Sequence, residues 1–190
     1  MTPGSAQPTR LRTHAAACVV AACLLAAVTL VAAAPAARAP RLEPADAGGV
    51  LAAVRAARAR AVLVNVWASW CAPCREEFPG ILKVGRELKD RGLALVLVSG
   101  DFDDGREDAL RFLAEQRVDF TTYIKTGDDE AFINGLAPEW SGALPATMVF
   151  DGSGRLRHLR EGALTYEQFR DLVLDVIDQP STGPGKENGR

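Results

Sequence analysis

Cys71-Ala72-Pro73-Cys74 constrains this chain more than any other feature, because of what lies on either side of it. Upstream, Ala61–Trp67 reads A-V-L-V-N-V-W, an apolar run rich in β-branched residues that predicts a buried strand. Downstream, Phe78, Ile81, Leu82, Gly85 and Leu88 recur at helical spacing, and Lys89-Asp90-Arg91-Gly92 supplies cations and a glycine stop. A helix therefore opens at Cys71 and ends near Gly92. A cysteine pair that closes so small a loop staples almost nothing, so its value lies in chemistry. The free N–H groups and positive dipole end of a helix favour a thiolate, the nucleophile of disulfide exchange. Cys71 stands outermost and is the candidate attacking thiol; Cys74, one turn further in, is the candidate resolving thiol. Pro73 suits the first helical turn, where its missing N–H is not needed. Pro79 lies inside the same helix and predicts a kink.

The other two cysteines, Cys18 and Cys23, belong to a different kind of segment. Arg10, Arg12 and His14 precede an uncharged, Ala/Val/Leu-rich stretch over residues 15–34, and Ala37-Arg38-Ala39 follows with small residues at cleavage-site spacing. Residues 1–39 read as a secretory signal peptide or, given the length of the apolar run, an N-terminal membrane anchor. Val20-Ala21-Ala22-Cys23 adds a lipobox-like third reading. Each of the three places the domain on the outer face of the cytoplasmic membrane or in the periplasm. Without residues 1–39 the chain holds 19 basic and 24 acidic residues. That net negative charge argues against nucleic acid as a partner.

Residues 40–49, with Pro44 and a Gly pair, read as a linker, and Val50, Leu51 and Val54 as one face of a helix over about 47–59. Leu93–Val98 is apolar at every position, which suits a central parallel strand covered on both faces. An acidic loop over 101–105, a helix over 106–116, a short strand over 120–124 and a helix over 128–136 follow. Ala146–Phe150 and Leu156–Arg160 form a hairpin across Asp151-Gly152-Ser153-Gly154. Thr165 and Gln168 stand at capping-box spacing ahead of the apolar stripe Phe169, Leu172, Val173, Val176 and Ile177. Residues 179–190 read as a Pro/Gly/Ser-rich disordered tail. Strands alternating with helices predict an α/β fold: a mixed central sheet with a parallel core, an antiparallel edge and helices on both faces. One domain over 50–178 accounts for the length.

Two stretches carry a resemblance. Val64–Pro79, V-N-V-W-A-S-W-C-A-P-C-R-E-E-F-P, and Gly142-Ala143-Leu144-Pro145-Ala146-Thr147 resemble the thioredoxin superfamily, most closely its TlpA/ResA-like branch. Members of that branch are exported thiol–disulfide oxidoreductases associated in many bacteria with cytochrome c maturation. The resemblance covers about Val50 to Ile177. It implies a thioredoxin fold with a helical insertion, Asp128–Leu136, before a cis-proline loop. It makes Cys71 the attacking and Cys74 the resolving thiol, sets Pro145 as the cis-proline facing them, and places Glu77 to handle the resolving thiol's proton. Asn65 stands where thioredoxins proper carry a buried Asp. Trp70, Ala72, Pro73 and Leu144 would line the substrate groove, with Trp67 in the core and Trp140 at the rim or in the core. The branch's N-terminal β-hairpin is not visible in residues 41–59.

The implied partners are protein thiols and disulfides, plus a membrane electron donor if the protein is a reductase. No cofactor beyond the cysteine pair is implied, and the chain is expected to be a monomer. The opposite direction, a disulfide donor, uses the same residues. A thiol peroxidase and a copper-handling module remain as readings from other classes. A zinc site would need more ligands than Cys71, Cys74 and His158, and His158 reads as a solvent-facing strand residue.

Overall fold

A computed structural model describes residues 39–179. The leader expected over 1–39 and the tail expected over 179–190 thus lie, Ala39 and Gln179 apart, outside the described residues. Six strands form one sheet: β1 (Arg41–Ala45), β2 (Ala61–Trp67), β3 (Leu93–Ser99), β4 (Thr121–Lys125), β5 (Ala146–Asp151) and β6 (Leu156–Glu161). Their spatial order is β1-β4-β3-β2-β5-β6. The first four run parallel, and β5 and β6 are antiparallel to their neighbours. The mixed sheet that the alternating elements predict is therefore present.

Five helices flank it: α1 (Ala47–Ala56), α2 (Ala72–Leu88), α3 (Arg106–Glu115), α4 (Asp129–Leu136) and α5 (Tyr166–Asp178). Strand pleating sorts β2 into two faces. Leu63 and Trp67 pack with Phe78, Phe112 and Phe169 from α2, α3 and α5. Val62, Val64 and Val66 pack with Val50, Val54, Phe132 and Leu136 from α1 and α4. Trp67, Phe78 and Phe112 form an aromatic triad with ring centroids 4.9–5.2 Å apart, spacings at which edge-to-face pairs are favourable. The helix before the cis-proline loop, α4, sits against α1 so closely that a Cβ on Gly135 would lie 2.7 Å from that of Ala47.

Two local expectations fail. Residues 40–49 are not a linker: Arg41–Ala45 pairs along its whole length with β4, and α1 begins at Ala47, capped by Asp46. Pro44 suggested a linker, yet an edge strand bonded on one side only tolerates a residue without N–H. His158 does not simply face solvent: it is half-buried, with Nε2 2.8 Å from Asp175 Oδ2 on α5. The α2 helix continues through Pro79 to Leu88.

Candidate redox site

Strand β2 ends at Trp67, and the chain turns through Ala68, Ser69 and Trp70 before α2 begins. The turn closes on itself: Cys71 N–H donates to Ala68 C=O at 3.1 Å. Cys71 then occupies the N-cap of α2, where its Sγ accepts from Cys74 N–H at 3.3 Å. A thiolate there meets the orphan donors and positive end of the helix. Cys71 and Cys74 are joined in a disulfide with Cα atoms 5.3 Å apart. Cys71 is 5% exposed and Cys74 is fully buried, so the first of the pair is the one nearer the surface. Ala72 and Pro73 are exposed beside it.

Glu77 lies one turn after Cys74, at a spacing that puts both on one helix face. It is buried, with Oε2 accepting from Leu164 N–H at 2.8 Å and Oε1 from Asn65 Nδ2 at 2.9 Å. Burial pushes its carboxyl up to about 7, while the hydrogen bonds from Leu164 and Asn65 pull it down. A carboxylate poised near neutrality can take and return a proton at working pH. Asn65 also donates to Thr147 Oγ1 at 3.1 Å, across the β2–β5 pair, while its own Oδ1 is buried without a partner among the described residues.

The Leu144–Pro145 peptide is cis, and Pro145 is buried directly before β5. Its loop is held from several sides. Glu161 accepts from Ser141 N–H and Oγ–H at 2.8 and 2.6 Å, Trp140 Nε1 donates to Ala143 C=O, and Gly162 N–H donates to Pro145 C=O. Gly142 takes φ +87° there, with Ile133 Cδ1 2.7 Å from where a Cβ would be. Leu144 is half-buried and reaches over Gly100. Trp67 is core. Trp140 is buried, yet its ring also lines the cleft beside the loop.

That cleft, about 270 Å³, is bounded by Trp70, Phe102, Leu144, Ile133 and Trp140. Trp70 and Phe102, 63% and 64% exposed, are the two large exposed hydrophobic side chains among the described residues. Two exposed aromatics facing one cleft mark a contact surface. Phe102 escaped the sequence reading because an acidic loop hides it. Asp101 and Ser69 escaped it too, because 32 residues separate them and only the fold brings them together. Among the described residues no group of three or more His, Cys, Asp or Glu side chains is placed to hold a metal ion.

Comparison with known proteins is consistent with this geometry. A model of the AhpC/TSA family matches residues 33–159. The thiol:disulfide interchange protein HelX of Rhodobacter capsulatus is 34% identical over 139 residues, covering 73% of this chain and 70% of that protein. The DsbE homologue of Paracoccus denitrificans is 33% identical over 118 residues, covering 62% of this chain and 59% of that protein. A solved thioredoxin-family thiol:disulfide interchange protein from Chlorobium tepidum superposes with a TM-score of 0.56 at 21% identity, covering 76% of this chain and 98% of the other.

Proposed function

The chain belongs to the AhpC/TSA family, as a thiol–disulfide oxidoreductase of thioredoxin fold, and we propose that it reduces protein disulfides outside the cytoplasm. The observation that carries the reading is the pairing of one slightly exposed cysteine, at the N-cap of a helix, with one fully buried cysteine a helical turn before a buried, hydrogen-bonded carboxyl.

In this mechanism the Cys71 thiolate attacks one sulfur of a substrate disulfide. A mixed disulfide forms, and the other substrate sulfur leaves as a thiolate. Glu77 takes the proton of the Cys74 thiol. Cys74 then attacks Cys71 Sγ, closes the internal disulfide and releases the second substrate thiolate, so two electrons pass to the substrate. Pro145 and Leu144 border the attacked sulfur, and Trp70 with Phe102 seats the adjoining substrate chain. Ala72 and Pro73 form the exposed lip. A membrane electron donor returns the two electrons, because the outer compartment is oxidising. The leader, cleaved or retained as an anchor, delivers the domain there. Similarity to HelX and DsbE homologues, together with the sequence's resemblance to the TlpA/ResA-like branch, supports an apocytochrome c cysteine pair as substrate.

The arrangement does not favour peroxide chemistry. Ser69, the hydroxyl closest in sequence to Cys71, is bonded to Asp101, and Arg75 is occupied with Ser69 C=O, Phe112 and Glu115.

Equilibration of the full chain against glutathione or dithiothreitol, with Cys18 and Cys23 replaced by Ser, gives the reduction potential of the Cys71–Cys74 couple. A value near or below about −270 mV, that of thioredoxin, is expected. A value near about −120 mV would instead make the protein a disulfide donor.

A further inference from the structure

Asp101 lies two residues beyond the end of β3 and is 2% exposed. Its Oδ1 accepts from Ser69 Oγ–H at 2.5 Å, its Oδ2 from Ser99 Oγ–H at 2.6 Å, and the Ser69 N–H reaches both oxygens at 3.2 and 2.9 Å. In each of these the Asp101 carboxylate is the acceptor, while its backbone N–H donates to Ser99 Oγ at 3.0 Å. The two hydroxyl bonds have the length of O–H···O⁻ bonds to a charged carboxylate. Among the described residues no Lys, Arg or His pairs with it. The neighbouring Gly100 N–H donates to Trp67 C=O at 2.7 Å, and Arg75 Nη1 reaches Ser69 C=O at 3.4 Å. Ser69 is thus held at its N–H, its hydroxyl and its carbonyl, and the closed turn it occupies delivers Trp70 to the cleft and Cys71 to the N-cap.

We propose that Asp101 is a positioning residue of the redox site: it clamps the Ser69–Trp70 turn and fixes a negative charge behind it that biases the Cys71–Cys74 couple toward the disulfide. The inference deepens the reductase reading and rests on it. Helix α2 favours the Cys71 thiolate and so favours the reduced protein. A nearby carboxylate without a cation opposes that. A disfavoured thiolate makes the dithiol the better electron donor. Hydroxyls from Ser69 and Ser99 neutralise part of the charge, so removing one strengthens the bias.

The test uses the full chain with Cys18→Ser and Cys23→Ser as background, equilibrated with glutathione at pH 7, with folding checked by circular dichroism. Asp101→Asn keeps the shape and drops the charge. It is expected to move the equilibrium constant about tenfold toward the dithiol, which is about 30 mV. Ser99→Ala keeps the charge and removes one donor to it, together with the acceptor of the Asp101 N–H. It is expected to move the constant about two- to threefold the other way, toward the disulfide, a displacement sized from the strength of a bond to a charged group. Asp104→Asn, in the same loop but exposed and outside the cluster, should leave it unchanged.

Opposite displacements are what a loosened turn alone does not produce. Wild-type values for both variants, or displacements in the same direction, overturn the proposal. If Asp101→Asn does not fold, Ser99→Ala decides alone: displacement toward the disulfide supports the proposal, and any other result overturns it. A wild-type potential near the oxidising end with the same opposed pattern removes the reductase reading and leaves the role of Asp101 standing.

Discussion

Replacing Glu77 with Gln tests the chemistry and the energetics of the site together. The carboxyl titrates at about 7 in the folded protein against an ordinary 4.5, with burial as the main cause. That gap is worth about 3 kcal/mol at 1.36 kcal/mol per pH unit. Below pH 4.5 the group is protonated in folded and unfolded chains alike, and its full contribution to stability is present. Between pH 4.5 and 7 the unfolded chain releases the proton while the fold retains it, so stability falls as pH rises. Above pH 7 the fold holds a buried charge and the contribution is gone. Gln does not titrate, and whatever its amide loses or gains at Asn65 and Leu164 is nearly constant with pH. In urea melts of the oxidised protein from pH 4 to 8, wild type should therefore lose about 3 kcal/mol relative to Glu77→Gln. A difference between the two that does not vary with pH would refute the burial argument. The same substitution should slow the closing attack of Cys74 by on the order of 10²-fold, the usual scale of general-base assistance. In single-turnover mixing the mixed disulfide should then accumulate, and the rise in rate near pH 7 should disappear.

Trp70→Ala and Phe102→Ala should each lower kcat/KM for a protein disulfide by about tenfold, the scale of a contact residue worth more than 1 kcal/mol. Both side chains are mostly exposed, so stability should change by no more than about 0.5 kcal/mol and reduction of a small disulfide such as oxidised glutathione should be nearly unaffected. Equal losses on both substrates would place the effect at the sulfurs instead of the cleft. Gly142→Ala should cost about 1–2 kcal/mol in a chemical melt, because an L residue at φ +87° is strained and its Cβ would press on Ile133; an unchanged midpoint would show that the loop relaxes freely.

Elements with a single strong period were legible in the chain. Ala61–Trp67 and Leu93–Val98 announce central strands because burial on both faces removes alternation. Thr165 and Gln168 announce α5 through a cap that the structure forms in full. Arg41–Ala45 was not legible, since an edge strand needs only one bonded side and its Pro44 gives the signal of a linker. Cys71 and Cys74 could be read from spacing and from the strand–helix junction. The surroundings of Glu77 could not: its donors Asn65 and Leu164 come from β2 and the loop before α5, Asn65 is tied in turn to Thr147 on β5, and only folding brings them together. Asp101 was hidden for the same reason. In sequence it is one acid in an acidic loop, and 32 residues separate it from the Ser69 it holds.

Two buried acids therefore serve one redox site, Asp101 through the turn before Cys71 and Glu77 one helical turn after Cys74, and their hydrogen bonding separates their tasks. Asp101 is engaged by three donors, two of them hydroxyls at charge-assisted distance, and lies behind the turn that leads to Cys71. Glu77 receives one backbone N–H and one amide N–H, too few to offset its burial, and lies one turn beyond Cys74. A carboxylate held by three donors is a fixed element of the turn. An under-solvated one exchanges its proton and works as a carrier. The attacking sulfur needs only a constant bias, because it stands at the helix N-cap and keeps some contact with solvent. The resolving sulfur is sealed from water, so its proton requires an internal acceptor. The asymmetry of the acids follows from the asymmetry of the sulfurs. Exchanging the two environments, by giving Glu77 a further donor or taking one from Asp101, should alter the closing rate in the first case and the equilibrium potential in the second.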